Sequence, residues 1–284
     1  MKRLFICMIP LLLLIAAAGG GTCRAGADAV TAILGAFDAE VEIIRNEMVS
    51  KRDTSYLGVT FTTGSLRGRR VVLAHTGYGK VNAAMTTTLV IAHVRPQAVI
   101  FTGIAGGLNP SLCPGDLVIG LYSAHHDYGY IKDGGTENVG TWNPSAGRRN
   151  PLFLPADSLL LSVARAAAGA ITLDSIPTAA GRRLPRYTEG TIVSGDAFIA
   201  SSAKKKELRT TLGADAVEME GAAVAQICIQ TATPCLIVRS ISDRADSSAV
   251  KDVEQFYKIA ARNSAVFVMK MIELLPLESR CGGR

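Results

Sequence analysis

The chain has 284 residues, of which 48% are hydrophobic and 19% charged, and its formal net charge is +6. This balance excludes an intrinsically disordered protein, which combines low hydrophobicity with high net charge. The 28 Gly and 11 Pro are scattered without a period, which also excludes collagen-like and low-complexity chains.

The first 27 residues are predicted to be an export signal that is cleaved from the mature protein. A basic start and an apolar run over residues 4–18 precede small residues at positions 25–27, the usual cleavage spacing. We therefore expect cleavage before Asp28, a periplasmic or secreted domain over 28–284, and no stable membrane association afterwards. An uncleaved anchor and, through Cys23, a lipoprotein are the alternatives.

Loss of this leader changes what the charge implies. Three basic residues and no acid leave with it, so the formal net charge falls from +6 to +3. Such a small excess gives no reason to expect a nucleic-acid partner.

Short β-rich runs alternate with helical stretches over the rest of the chain, which is typical of an α/β fold. The predicted strands are, in chain order, Val30–Leu34, Tyr56–Thr63, Arg70–Thr76, Ala98–Thr102, Asp116–Tyr122, Gly190–Val193, Ala216–Glu218 and Cys235–Ser240. The predicted helices are Asp38–Val49, Val81–Val94, Ser158–Ala168, Gly221–Gln230 and Val253–Leu275. No change in composition marks a linker, so we expect one domain.

Residues 125–155 interrupt this alternation with a segment rich in Gly, Asn, Pro and Arg. A loop of this length in a compact domain is usually functional or mobile. Adjacent His125 and His126 cannot face one metal from a regular helix or strand, so we expect a contact with substrate or with a partner subunit. Tyr128 and Trp142 either cover a pocket or pack within the loop.

Cysteine usage gives no support for a metal site or for a cofactor. The sequence has no CxxC or HExxH motif. The cysteines that remain after cleavage are too few and too widely spaced for a disulfide framework, and their pairing stays open: Cys113, Cys228, Cys235 and Cys281.

Unusual residues follow several of the predicted strands, and ligand sites of α/β sheets lie at the carboxyl ends of strands. Residues 33–40 place Asp38 and Glu40 at the start of a helix, where acids also complement the helix dipole. Residues 101–107 form a glycine-rich turn, which either lets a ligand approach the backbone or is an ordinary tight turn.

Two further strand ends carry charged residues. The segment 193–199 is followed by 217–222, in which Glu218 and Glu220 flank Met219. Buried and unpaired acids are costly, so these two either face water or bind a polyhydroxylated ligand. The apolar strand near residue 238 ends in Arg-Ser-Ile-Ser-Asp, which is either part of a site or a turn with a helix cap.

In combination, the strings Ser-Gly-Asp-Ala-Phe-Ile (194–199), Glu-Met-Glu (218–220) and Arg-Ser-Ile-Ser-Asp (239–243) resemble one family. They are similar to the nucleoside phosphorylase and nucleosidase superfamily, and most of all to the bacterial 5′-methylthioadenosine/S-adenosylhomocysteine nucleosidases. The resemblance covers nearly the whole mature chain. It implies a three-layer α/β/α sandwich around a mixed, partly barrel-like central sheet, and a homodimer.

The resemblance also implies a reaction, hydrolysis of the N-glycosidic bond between adenine and a 5′-thio-substituted ribose. Asp243 matches the general acid that protonates the leaving base, and Ser242 would orient it. Glu40 matches the residue that holds and deprotonates the attacking water, with Arg239 among the groups around that water. An acid at position 243 needs a raised pKa to be protonated near neutral pH.

The same resemblance assigns the substrate contacts. They are Glu220 and Met219 at the ribose, Phe198 and the Ile199 backbone at the base, Ala105 and Gly106 bordering both, and Phe256 at the 5′ substituent, while Tyr78 and Glu218 complete the predicted binding set.

Two residues depart from the family pattern and bear on the substrate. Ile104 stands where Ser is more common, and Tyr78 where a smaller aliphatic residue is usual. The loop over 125–155 also replaces a segment that usually helps to form the 5′ pocket, partly across the dimer interface. These departures leave the identity of the 5′ substituent open and bear less on the reaction class.

Two other functions remain open at this stage. A phosphorylase attacks with phosphate, which prefers Arg, Lys or a helix N-terminus. The acidic segment at Asp38 and Glu40 would repel phosphate and favours water, although Arg239 could bind an anion. A non-catalytic nucleoside-binding protein would not need Glu40, Glu220 and Asp243 together, so their presence favours an enzyme.

Overall fold

The structure is a computed structural model that describes residues 29–133, 135–178 and 181–276. The predicted leader, its cleavage site before Asp28, and Cys281 lie outside the described residues. In the described ranges, Cys113, Cys228 and Cys235 are free thiols.

Helices and strands alternate as the sequence predicts. The helices are α1 (Asp38–Glu47), α2 (Lys80–Val94), α3 (Ser158–Ala170), α4 (Ser202–Leu212), α5 (Gly221–Gln230) and α6 (Ala249–Leu274). The strands are β1 (Thr31–Gly35), β2 (Val49–Tyr56), β3 (Val59–Leu66), β4 (Arg69–His75), β5 (Ala98–Phe101), β6 (Ile104–Gly107), β7 (Leu117–His125), β8 (Gly129–Lys132), β9 (Gly135–Asn138), β10 (Trp142–Asn143), β11 (Arg148–Arg149), β12 (Leu154–Pro155), β13 (Ile176–Thr178), β14 (Gly181–Arg183), β15 (Tyr187–Ser194), β16 (Ala216–Glu218) and β17 (Cys235–Asp243).

Eleven of these strands form one mixed sheet in the order β12-β7-β15-β16-β6-β17-β5-β1-β4-β3-β2. Strand β17 also pairs antiparallel with β7, so β7, β15, β16, β6 and β17 close into a five-stranded ring. The other end of the sheet stays open. This arrangement confirms the predicted mixed, partly barrel-like sheet.

Strand β17 joins the two parts of the sheet. Its first residues, Cys235–Ile237, run parallel to β5, and its later residues pair with β6 and β7. All nine residues of β17 are buried. An apolar strand buried on both faces is typical of the parallel centre of an α/β sheet. The polar end of β17 therefore belongs to a strand that is buried along its whole length.

Helices cover both faces of the sheet, which confirms the predicted three-layer sandwich. One core joins α1, α3 and α6 to residues such as Leu236 and Val238 of β17. The second core joins α2 and α5 to the alternate residues Ile237 and Ile241. This alternation follows from the two-residue period of a strand. Among the helices of the described ranges, none is both long and apolar enough to cross a membrane.

Three predictions about the elements are wrong. The predicted strand Tyr56–Thr63 is interrupted by a turn at Leu57 and Gly58, both with positive φ, so β2 ends and β3 begins inside it. The glycine-rich segment 101–107, predicted as a turn, contains strand β6 (Ile104–Gly107) of the barrel. The loop 125–155 contains two short hairpins, β8–β9 and β10–β11, and the edge strand β12.

Candidate active site

A cavity of about 380 Å³ lies where β1, β16 and β17 end, beside β6. It brings together residues from most of the predicted segments. Its lining consists of Ala36, Phe37, Glu40, Tyr78, Ile104, Ala105, Gly106, Phe198, Val217, Glu218, Met219, Glu220, Ser242, Asp243, Val253, Glu254 and Tyr257. Three predicted site residues, Arg239, Ile199 and Phe256, are not part of this lining.

Glu40 is held by the backbone at the start of α1. Its Oε2 accepts hydrogen bonds from the amides of Ala36 at 2.5 Å and Phe37 at 3.3 Å. Its Oε1 accepts from the amide of Ile104 at 3.0 Å. Burial raises the pKa of Glu40 to about 7, against the lowering effect of Arg239 and these hydrogen bonds. Glu40 therefore does more than complement a helix dipole, because it bridges β1 and β6 and titrates near neutral pH.

A buried ion-pair cluster forms the floor beside Glu40. Arg239 Nη2 donates to Glu218 Oε2 and lies 3.7 Å from Glu220 Oε2. Glu218 Oε2 also accepts from the amides of Glu220 at 3.0 Å and Gly221 at 2.8 Å. Burial alone would raise the pKa of Glu218, but Arg239 and the hydrogen-bond donors outweigh burial and lower it. Glu218 is thus the ionised partner of the guanidinium.

Glu220 has a different environment. Its Oε1 accepts from the amide of Gly79 at 2.8 Å. Burial, followed by the charge of Glu218, raises the pKa of Glu220 to about 8, although Arg239 lowers it. The two acids that flank Met219 therefore have separate functions, since one neutralises Arg239 and the other offers an oxygen to the cavity.

Arg239 lies below the cavity floor and is 1% exposed. Its guanidinium stacks over the Phe101 ring at 4.2 Å from the centroid. Burial alone would lower the pKa of Arg239, but the surrounding carboxylates raise it. The chain leaves room for this group at Gly103, where a Cβ would overlap Arg239 Nη1 and Glu40 Oε1. Glycine at position 103 is therefore required by this close approach.

Asp243 lies at the end of β17 and is 1% exposed. Its Oδ2 accepts from the Ser242 hydroxyl at 2.8 Å, and its Oδ1 accepts from the amide of Ala245 at 2.8 Å. Burial raises the pKa of Asp243, against the lowering effect of these two bonds. A Cβ at Gly106 would lie 2.9 Å from Asp243 Oδ1, so glycine also leaves space here. The result is an oriented carboxyl that holds a proton more readily than an exposed Asp.

The mouth of the cavity is aromatic. The Tyr78 ring stacks on Phe37 with 6.0 Å between centroids and 21° between planes. Phe198 and Tyr257 complete this rim. Tyr78 is 64% exposed and Phe198 is 51% exposed, so both rings offer apolar surface to an incoming ligand.

Phe256 lies elsewhere, in a separate cavity with Cys113, Pro114 and Arg183. The face of α6 that meets the candidate site carries Val253 and Tyr257 instead. These two residues are four apart and so share a helix face, whereas Phe256 is rotated away by about one hundred degrees from Tyr257. The helical period places Tyr257 on the same face as Val253, so the sequence pattern could have predicted Tyr257 as a lining residue. The prediction of Phe256 was off by one residue along α6.

Ile199 packs against a small hydrophobic cluster that includes Val193 and Leu208. None of the described residues between 125 and 155, which exclude residue 134, lines the cavity in this single chain. His125 Nε2 is 3.0 Å from Gln226 Oε1, and Asp127 pairs with Lys80. Within the part of the chain that the structure describes, no group of three or more His, Cys, Asp or Glu side chains could hold a metal ion.

Chemically, the cavity offers two kinds of carboxyl group. Burial raises the pKa of Asp243 and Ser242 orients its carboxyl, which suits the donation of a proton to a bound group. Glu40 titrates near neutral pH and can accept a proton. Every charged side chain of the lining is an acid, while the basic Arg239 lies below the floor and pairs with Glu218 through Nη2.

Comparison with known proteins gives a consistent picture. The pattern of the phosphorylase superfamily matches residues 30–273. A 5′-methylthioadenosine/S-adenosylhomocysteine nucleosidase of Geobacillus kaustophilus is 38% identical over 245 residues, which is 86% of this chain and 97% of the relative.

Solved structures agree. The nucleosidase of the same name from Neisseria meningitidis, in complex with methylthio-immucillin-A, is 36% identical with a TM-score of 0.76, covering 87% of this chain and 99% of that one. A futalosine hydrolase of Helicobacter pylori is 29% identical with a TM-score of 0.75 at the same coverage. The chain therefore belongs to the phosphorylase superfamily and, within it, to the family of the 5′-methylthioadenosine/S-adenosylhomocysteine nucleosidases.

Proposed function

We propose that this protein hydrolyses the N-glycosidic bond of 5′-methylthioadenosine, S-adenosylhomocysteine or a closely related purine nucleoside and releases the base. The observation that carries the proposal is the pair of buried carboxyls, Glu40 and Asp243, that meet in one cavity. The Geobacillus and Neisseria relatives bear the name of this activity and span nearly the whole described chain.

In the proposed reaction, Asp243 protonates the leaving base while positive charge develops on the sugar. Glu40 takes a proton from the attacking water, so both the leaving group and the nucleophile are assisted. Arg239 acts from below the floor, where it holds Glu218 and Glu220 in place.

Substrate binding follows from the same lining. Glu220 would accept hydrogen bonds from the ribose hydroxyls, Met219 would pack on the sugar, and Phe198 would stack on the base. In this proposal, Val253 and Tyr257 rather than Phe256 would contact the 5′ substituent, together with the stacked Phe37 and Tyr78.

Water is favoured over phosphate as the nucleophile. A phosphate dianion needs cations or a free helix N-terminus. The charged residues of the lining are all acids, and Arg239 already pairs with Glu218. Phosphorolysis therefore lacks a binding group in this cavity.

The direct experiment incubates the purified domain with 5′-methylthioadenosine, S-adenosylhomocysteine, adenosine and inosine and follows base release. We expect release without phosphate, and fastest release from a thio-substituted adenosine. Release only with phosphate would indicate a phosphorylase, and binding without release would indicate a nucleoside-binding protein.

We also propose that residues 1–27 direct export, because a basic start, an apolar run and small residues at 25–27 succeed one another. The mature protein would then act in the periplasm or outside the cell. Its N-terminus, determined by sequencing of the exported protein, should be Asp28, and an N-terminus at Met1 would contradict cleavage.

Replacement of Asp243 by Asn removes the proposed proton donor with little change in shape. We expect kcat to fall by about 10²–10⁴-fold, the usual contribution of general acid–base catalysis. Asp174→Asn is the matched control, since Asp174 pairs with Arg262 on the surface. Steady-state kinetics with both variants decide the matter, and near-wild-type turnover of Asp243→Asn would refute the assignment.

The pH dependence of kcat/KM should reflect the ionisation of the Glu40 carboxyl. A base must be ionised, and the pKa of Glu40 is raised to about 7. We therefore expect kcat/KM to fall as pH drops below about 7, by up to tenfold per unit. Base release at low substrate concentration between about pH 5 and 9 measures this. A flat profile below neutrality would contradict the role of Glu40.

A homodimer is proposed on the basis of the outer face of α2. Val81 is 79% exposed and Met85 is 42% exposed, and they share one face with exposed Thr88. An uncharged helix face beside a binding cavity is typical of a protein interface. We expect light scattering to give a dimer mass for the wild type and a monomer mass for Met85→Glu.

The control for the dimer experiment is Leu184→Glu, which places the same charge at another exposed apolar residue, one that is 61% exposed. This variant should stay dimeric. A monomeric wild-type protein, or equal effects of the two variants, would contradict an interface on α2.

A further inference from the structure

Three charged side chains join three separate segments at the edge of the cavity. Lys80 Nζ lies 2.5 Å from Asp127 Oδ1 and 3.9 Å from Asp196 Oδ2. Asp127 Oδ2 accepts from the amide of Asp196 at 3.0 Å. Asp196 Oδ1 accepts from the amide of Lys80 at 2.7 Å. The three residues therefore form a closed ring of contacts, which we call the Lys80–Asp127–Asp196 network.

This network reaches the cavity on its sugar side through the backbone. Gly79 immediately precedes Lys80, and its amide donates to Glu220 Oε1 at 2.8 Å. Both amides belong to the N-terminus of α2, where amides have no partner within the helix. One of them is satisfied by Glu220 and the next by Asp196. The direction of the Gly79 amide thus depends on how the first turn of α2 is held.

The backbone of Gly79 is restricted by the same contacts. Its φ of 88° lies in the left-handed region, which glycine adopts readily. A Cβ at Gly79 would lie 3.1 Å from Asp196 Oδ1. The Asp196 carboxylate therefore packs directly against Gly79, the residue that donates to Glu220. A displacement of this carboxylate would change the position of the Gly79 amide.

On the base side, the network holds the segment that carries Phe198. Asp196 is two residues before Phe198, which lines the cavity. The ring of buried His126 fills the space above Gly195, where a Cβ would overlap it. Asp127 and Asp196 are thus linked at the turn that presents the Phe198 ring.

We propose that the Lys80–Asp127–Asp196 network is a positioning device that fixes the Gly79 amide against Glu220 and the Phe198 segment over the cavity at the same time, so that the sugar and base subsites form together. The inference rests on the proposed function, in which Glu220 binds the ribose and Phe198 the base. None of the three residues lines the cavity, so they act through Glu220 and Phe198.

Partial burial strengthens the network. The side chains of Lys80 and Asp127 are 18% and 33% exposed, so solvent screens their charges less than those of a fully exposed pair. Burial alone would raise the pKa of Asp127, but the hydrogen bonds from Lys80 and from the amide of Asp196 lower it. Asp127 is therefore ionised at neutral pH and opposes the Lys80 ammonium.

The experiment compares Lys80→Met, Asp127→Asn and the double variant in the full-length protein. We expect KM for 5′-methylthioadenosine to rise about tenfold in each single variant, since a hydrogen bond that involves a charged group is lost, while kcat changes by less than about threefold. The double variant should lose little more than either single variant, because both changes break the same network. Lys80→Arg should retain most of the wild-type affinity.

Adenine alone provides a readout that needs no turnover. Calorimetric titration should show that Lys80→Met weakens adenine binding, although Lys80 is linked through Gly79 to Glu220, on the side of the cavity proposed for the sugar. Lys132→Met is the control, because Lys132 forms an exposed pair with Glu137 and is 62% exposed. This control should leave both KM and adenine affinity unchanged.

The outcomes separate the inference from the function on which it rests. An inactive wild-type protein that binds adenine would refute the proposed function, while the adenine titrations would still test the network. Unchanged KM and unchanged adenine affinity in Lys80→Met would overturn the inference. A fall in kcat alone, with both affinities intact, would overturn it as well.

Discussion

The buried positive charge of Arg239 is the constraint on which the site depends. A guanidinium that is 1% exposed needs partners, because loss of one partner from a buried ion pair typically costs about 3–5 kcal/mol. Glu218 at the end of β16 and Glu220 at the start of α5 supply them. These ion pairs connect β17 to the end of β16 and the start of α5. Charge as well as packing therefore holds the floor of the cavity in place.

The same cluster determines which chemistry the cavity favours. Glu218, Glu220 and Glu40 surround a single cation, so acidic side chains outnumber basic ones. Burial raises the pKa of Glu40 to about 7, and burial together with the charge of Glu218 raises the pKa of Glu220 to about 8. A surplus of acidic side chains suits a water molecule or a developing positive charge, and it disfavours a phosphate dianion. The balance of buried acids and bases therefore favours water as the nucleophile.

The apolar pattern of the sequence was sufficient to predict the central strands and most helices, because residues such as Ile237 and Val238 are buried on alternate faces of the sheet. It failed for β2, all of which is exposed or half-buried, and for β6, whose glycines indicated a turn. The buried carboxyls were recognisable from their positions after strands. The partners of Glu40 and Glu220 were not, because backbone amides at Ile104 and Gly79 leave no mark in the sequence.

The floor and the mouth of the cavity are under different constraints. Asp243 and Arg239 must be matched by buried partners, so few replacements are compatible with folding. Tyr78 and Phe198 are more than half exposed, and their replacement leaves no buried charge unpaired. Side chains at the mouth can therefore change without loss of the floor, and the stacked rings of Tyr78 and Phe37 lie in the part of the cavity that is free to vary.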